Sequence, residues 1–130
     1  MKKTVLCVDD EPNILLALKR MLMLNGYQVL TAESGAAALD VLAGNSVDVI
    51  ISDMHMPEMS GSDLLSEVKV KHPDVMRILL TGNADISNAI EAVNKGGIYR
   101  YLTKPWVDAE LLATIQSALE LIALKLERSR

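Results

Sequence analysis

The chain has 130 residues, half of them apolar, 23% charged, with a formal net charge of −4. A domain of this size buries roughly two-thirds of the surface its unfolded chain exposes, so neither disorder nor a stapled mini-protein is expected. An acidic balance argues against a nucleic-acid face, and a single cysteine excludes a disulfide framework and a cysteine zinc site.

Along the chain, short apolar runs alternate with longer segments of helical spacing. Lys2 and Lys3 precede only the run Thr4–Val8 before Asp9 and Asp10, too little for a secretory signal. Pro12 suits a first helical turn, Ile14, Leu15, Leu18, Met21 and Leu22 form one stripe, and Gly26 ends it. Gln28–Ala32 follows, then Ser34 as a cap for the stripe Ala37, Ala38, Val41 and Leu42, closed by Gly44. Val47–Ser52 is the third run. Leu64, Leu65 and Val68 make the third stripe, with Pro73 beyond it. Met76–Leu80 precedes Ile86, Ile90 and Val93, which end at Gly96 and Gly97. Ile98–Leu102 is the last run. The final helix is expected over Trp106–Glu127, with Leu112, Ile115, Leu119, Ile122 and Leu126 in three- and four-residue steps. At 1.5 Å per residue it spans about 33 Å. No stretch reaches transmembrane length.

Apolar runs that do not alternate with polar residues suit strands covered on both faces, and strands alternating with helices imply crossover units in a parallel sheet. Ligands of such sheets bind beyond the carboxyl ends of the strands. After the first run come Asp9, Asp10 and Glu11. Asp53 follows the third, Thr81 and Gly82 the fourth, and Thr103, Lys104 and Pro105 the fifth. The second gives only Glu33 and Ser34, which read as capping residues. Helix capping explains one such acid but not the set, and Lys104 caps nothing at a helix start. Crowded carboxylates repel and raise one another's pKa unless a cation holds them. For oxygen donors that cation is Mg²⁺ or Mn²⁺, with room left for a phosphoryl oxygen. The residues read as a site for phosphoryl chemistry with a carboxylate nucleophile.

In this arrangement the chain resembles the receiver (CheY-like) domain of two-component response regulators. The motifs are Val8-Asp9-Asp10-Glu11-Pro12, Asp53-Met54-His55-Met56-Pro57 with Met59 and Gly61, Leu80-Thr81-Gly82, and Lys104-Pro105. The resemblance covers residues 3–125. It implies a doubly wound five-stranded parallel sheet of order 2-1-3-4-5 flanked by five helices. Asp53 would be the phosphoacceptor, serving a histidine kinase or phosphotransfer protein. Asp10 would bind Mg²⁺ directly, Asp9 would hold it through water, and Asp53 and the His55 backbone carbonyl would complete the protein ligands. Thr81 would be the switch hydroxyl, Lys104 the phosphate-pairing lysine and Tyr101 the switch aromatic, with a cis peptide before Pro105. Output would pass through the face of helix 4, strand 5 and helix 5 to an output domain or partner, with a phosphorylation-dependent homodimer as one form. The stretch 94–106 is similar to receivers joined to HD-GYP phosphodiesterases and to some transcriptional activators.

The domain is expected over 1–125, with 126–130 beginning a linker helix or tail that leads towards an effector domain. Localisation is expected to be cytoplasmic, with no membrane or direct nucleic-acid contact, and the function that of a switch rather than a conventional enzyme. His55 and Asn83 are expected to tune phosphoryl lifetime, His72 to be ordinary surface, Cys7 a buried thiol, and Trp106 a cap over the last helix. A haloacid-dehalogenase phosphatase needs Asp-x-Asp after its first strand, whereas Asp9 and Asp10 are adjacent. A flavodoxin-like carrier needs a hydroxyl- and glycine-rich phosphate loop where this chain has acids. A receiver that signals without phosphate would not need the full set of acids, hydroxyl and lysine.

Overall fold

A computed structural model describes residues 2–82, 86–95 and 97–128. Among these residues strands and helices alternate: β1 (Thr4–Val8), α1 (Pro12–Leu24), β2 (Gln28–Ala32), α2 (Gly35–Gly44), β3 (Val49–Asp53), α3 (Gly61–Lys71), β4 (Met76–Thr81), α4 (Ile86–Asn94), β5 (Arg100–Thr103) and α5 (Asp108–Arg128). The strands form one parallel sheet in the order β2-β1-β3-β4-β5. This is the doubly wound architecture expected from the sequence. Of the expected tuning residues Asn83 lies outside the described set, as does Gly96.

The central strands β1, β3 and β4 are largely apolar because both faces are covered, whereas the edge strands β2 and β5 stay partly exposed. On one side Val5, Cys7, Val49, Ile51, Ile78 and Leu80 meet Leu15, Leu18 and Leu22 of α1 and Leu111, Ile115 and Ile122 of α5. On the other, Leu6, Val8, Ile50 and Leu79 meet Ala38 and Leu42 of α2, Leu64, Leu65 and Val68 of α3, and Ala89 of α4. Each fully buried aliphatic side chain contributes about 1.5–3 kcal/mol.

Local signals set the helix ends. Pro12 opens α1, where a missing N–H is no loss. Ser34 Oγ accepts from the Ala37 N–H at 3.1 Å to cap α2, and Ser60 Oγ does the same for Asp63 and α3. Gly26 turns out of α1 at a φ of +90° that side chains rarely adopt.

Several boundaries move. β3 runs to Asp53 and begins at Val49; just before it, the Asp48 carboxylate accepts the Thr4 N–H at 2.8 Å. β5 is Arg100–Thr103 rather than 98–102, although Ile98 is buried. α5 starts at Asp108: Trp106 stands just before it, half-buried against the α1–α5 core, and donates its indole N–H to Asp108 Oδ1 at 3.0 Å. The buried side of α5 centres on Leu111, Ile115, Ala118 and Ile122, leaving Leu126 exposed. In α4 the fully buried residue is Ala89, while Ile90 is 42% exposed.

Cys7 is fully enclosed, and burial pushes its thiol pKa up to about 12. At pH 8 a disulfide reagent is expected to label no thiol in the native protein and one after unfolding in denaturant; native labelling at the denatured rate contradicts the packing. Ile51→Ala, cutting a side chain with no exposure, is expected to cost about 2–5 kcal/mol in urea unfolding.

Candidate functional site

Strand register assembles the polar residues. Val8 pairs with both Ala32 and Ser52, so Asp9 and Asp53 leave neighbouring strands side by side. The ladder continues past the strands: Met54 N–H donates to the Leu80 carbonyl at 2.9 Å, and Lys104 N–H to the Thr81 carbonyl at 2.9 Å. The ends of β1, β3, β4 and β5 therefore meet at one edge, bringing together Asp9, Asp10, Asp53, Thr81 and Lys104.

Carboxylate oxygens of Asp9, Asp10 and Asp53 lie within 4.8 Å of one another. Asp9 and Asp53 are buried and Asp10 is exposed. The Lys104 ammonium donates to Asp9 Oδ2 at 2.8 Å and reaches Asp53 Oδ1 at 2.9 Å. The other Asp9 oxygen, Oδ1, accepts from the Glu11 N–H at 2.9 Å.

Burial raises the Asp53 pKa, and the charges of Asp9 and Asp10 add to it against the opposing pull of Lys104. Burial alone would lower Lys104, but its hydrogen bonds to Asp9 and Asp53 outweigh this and its pKa is raised. The two partners thus shift in the same direction. The ion pair decides the shift at Lys104, whereas at Asp53 desolvation and like charge prevail.

The donors are all oxygen, and one ammonium does not balance three carboxylates. That set fits a hard divalent cation in the way the sequence implies.

Thr81 is fully buried at the end of β4, and its hydroxyl donates to the Gly82 carbonyl at 3.2 Å. Leu79 pairs with Tyr101 across β4 and β5. Paired residues share a face and alternate residues return to it. Thr81 and Tyr101 therefore lie on the α2–α3–α4 side, where Tyr101 is half-buried. The Lys104–Pro105 peptide is cis. His55 is exposed and borders a groove of about 540 Å³ between α3 and α4, lined also by Ser62, Ser66 and Glu91. His72 is half-buried at the C-cap of α3, its main-chain N–H bonded to the Val68 carbonyl at 2.7 Å.

Two features escape sequence reasoning. One is the double engagement of Lys104, which holds Asp9 as well as Asp53. The other is Gly61. A Cβ there would collide with the Asp53 carbonyl oxygen and stand 2.9 Å from Leu79 Cδ1. Its N–H also donates to the Met54 carbonyl at 2.8 Å. Gly61 stood in the motif, but its steric role needs the close approach of α3 to the end of β3.

Comparison with known proteins agrees with this geometry. The response regulator receiver domain family matches residues 5–116. The transcriptional regulatory protein HoxA of Cupriavidus necator, a hydrogenase regulator, is 40% identical over 90% of this chain and 24% of its own. GlrR of Escherichia coli is 41% identical over 89% of this chain and 26% of its own. Among solved structures, a receiver domain protein from Clostridium thermocellum superposes with a TM-score of 0.89 at 40% identity, covering 94% of this chain and 98% of that one. The signal receiver domain of an HD domain-containing protein from Pseudomonas fluorescens gives 0.90 at 40% identity, covering 98% and 93%. The chain belongs to the receiver domain family of two-component response regulators. It spans about a quarter of the length of the HoxA and GlrR relatives.

Gly61→Ala is expected to destabilise the fold by about 1–3 kcal/mol, the usual range for an overpacked site. A wild-type urea midpoint for this variant would show that α3 sits further from Asp53 than described.

Proposed function

We propose that this receiver accepts a phosphoryl group on Asp53 from a histidine kinase or phosphotransfer protein and changes conformation to control an output domain or partner. The observation that carries the proposal is Lys104, one ammonium within 2.9 Å of both Asp9 and Asp53 in a cluster of three carboxylates. Such an arrangement suits binding and neutralising a charged group added to Asp53.

An oxygen of the Asp53 carboxylate attacks phosphorus while the donor's P–N bond breaks, and the leaving imidazole takes up a proton. Asp9, Asp10, Asp53 and the His55 carbonyl would hold Mg²⁺ (or Mn²⁺), which when bound offsets the charge of the acids and of the incoming phosphoryl oxygens. Lys104 orients the carboxylate beforehand and pairs with a phosphoryl oxygen afterwards. The Thr81 hydroxyl, held by a long bond to Gly82, exchanges that partner for another phosphoryl oxygen. Turning Thr81 frees space on the side where Tyr101 is half-buried, and Tyr101 moves inward.

The output face is α4, β5 and α5, where Ile90 and Tyr101 are partly exposed, and a homodimer formed after phosphorylation would use the same face. His55, at the border of the α3–α4 groove, tunes water access and phosphoryl lifetime. The domain is a switch that assists its own phosphorylation and hydrolysis. It occupies 1–125, with 126–130 leading into a linker. No described helix is long and apolar enough to cross a membrane, which accords with a cytoplasmic setting. HoxA and GlrR are named as transcriptional regulators, which supports an output domain after α5.

Intact mass after incubation with a small-molecule phosphodonor tests the reading. One Mg²⁺-dependent, base-labile adduct is expected on the wild type and none on Asp53→Asn; an adduct that survives in Asp53→Asn removes Asp53 as acceptor. Lys104→Met leaves Asp9 and Asp53 without their cation. Its thermal midpoint is expected to fall below wild type without divalent ions, and saturating Mg²⁺ to raise it, since a ligand of the native state at about 100 times its Kd adds about 2.7 kcal/mol. Midpoints of wild type and variant both unmoved by Mg²⁺ count against the metal reading.

A further inference from the structure

The segment 54–61 carries the His55 carbonyl, and it is clamped at points outside the acidic cluster. Its ends are tied by Met54 N–H to the Leu80 carbonyl at 2.9 Å and by Gly61 N–H to the Met54 carbonyl at 2.8 Å. Its middle is a γ-turn: Met59 N–H donates to the Pro57 carbonyl at 2.8 Å, around Glu58 at a φ of +71°. An L residue is strained there, so surrounding packing must hold the turn.

The packing is Met59. Its side chain joins the core on the α2–α3–α4 side and lies over Gly35, the first residue of α2. A Cβ on Gly35 would stand 2.5 Å from Met59 Sδ and 3.1 Å from both its Cβ and Cγ. The sulfur can swing away. The Cβ cannot move without carrying the strained turn with it. Gly44, at the other end of the same helix, gives the contrast: a Cβ there meets nothing within 4 Å. Open space at Gly44 and a filled socket at Gly35 show that the demand for glycine comes from Met59.

We propose that Gly35 is a positioning residue for the phosphorylation site. The bare α-carbon at the start of α2 seats Met59, and Met59 fixes the turn that sets the His55 carbonyl relative to Asp53. The proposal rests on the metal-dependent reading of the site. It connects α2, which contributes no residue to the acidic cluster, to the affinity of that cluster for its cation.

Calorimetric titration with Mg²⁺ and metal-free urea unfolding, run on the whole chain, test it. The variants are Gly35→Ala, Met59→Ala, their double and Gly44→Ala. Gly35→Ala is expected to weaken Mg²⁺ binding about 10-fold, the scale of lost support around metal ligands. Gly44→Ala is expected to match wild type. The double variant is expected to lose less than the product of the two single losses, because Met59→Ala removes the Sδ and Cγ contacts with the new methyl and leaves the one with the Met59 Cβ. Should Gly35→Ala fail to fold, weaker Mg²⁺ binding by Met59→Ala with Gly44→Ala unchanged carries the test. A lowered urea midpoint with unchanged Mg²⁺ affinity in Gly35→Ala, or in Met59→Ala where Gly35→Ala does not fold, would make the contact merely structural and overturn the proposal. A wild type that binds no Mg²⁺ overturns the metal reading beneath it, a result distinct from a wild type that binds and a Gly35→Ala that equals it.

Discussion

Three carboxylates and a single ammonium share one edge of a parallel sheet, and the rest of the molecule serves to keep them there. Left to themselves, Asp9, Asp10 and Asp53 would repel one another apart. Backbone ladders and two apolar layers deny them that separation, because Asp53 ends β3 and Asp9 and Asp10 are the first two residues after β1, both strands being locked on both faces. Lys104 arrives from the opposite end of the strand order and ties β5 to β1 and β3 through side chains. The site is therefore also a clasp across the sheet, and what changes its charge changes how three strands are tied together.

Steric constraints complement the electrostatic ones. The loop after Asp53 is short and contains a residue at positive φ, so its shape depends on what presses on it. Gly61 lets α3 approach the Asp53 main chain, and Gly35 lets α2 receive Met59. Both glycines open helices, and both matter for the atoms they lack. The two helices thereby report the position of the loop to the layer of which they form part.

Much of this was legible in the sequence because the signals were independent and agreed. Largely apolar runs named β1 and β2 to the residue, and Ser34 and Pro12 act where a capping serine and a first-turn proline should. The acids, Thr81 and Lys104 stood out because each followed a strand. The failures share a cause. Val47 and Ile98 are buried without being in the ladder, so hydrophobicity overstated the strands. Ala89 anchors α4, but an alanine carries too little apolar weight to mark the inward face beside Ile90. Gly35 and Met59 belong to different elements, and no periodicity within either records that they touch. Lys104 was expected to meet phosphate; that it engages Asp9 beforehand is a matter of distance, which sequence does not contain.

The anchoring of α4 carries a consequence for how a signal leaves the site. Every other helix buries at least two side chains in a core layer, whereas α4 fully buries Ala89 alone among the described residues, with Ala92 and Val93 only partly covered. The free energy needed to shift or open it is drawn from the low end of the molecule's stability range, well under that of global unfolding. A change of one or two hydrogen bonds beside Thr81 is comparable with that sum, at about 0.5–1.5 kcal/mol each. If Asp53 is phosphorylated as proposed, α4 is therefore the helix whose displacement costs least, with the layer formed by α1 and α5 as the frame against which that displacement is measured.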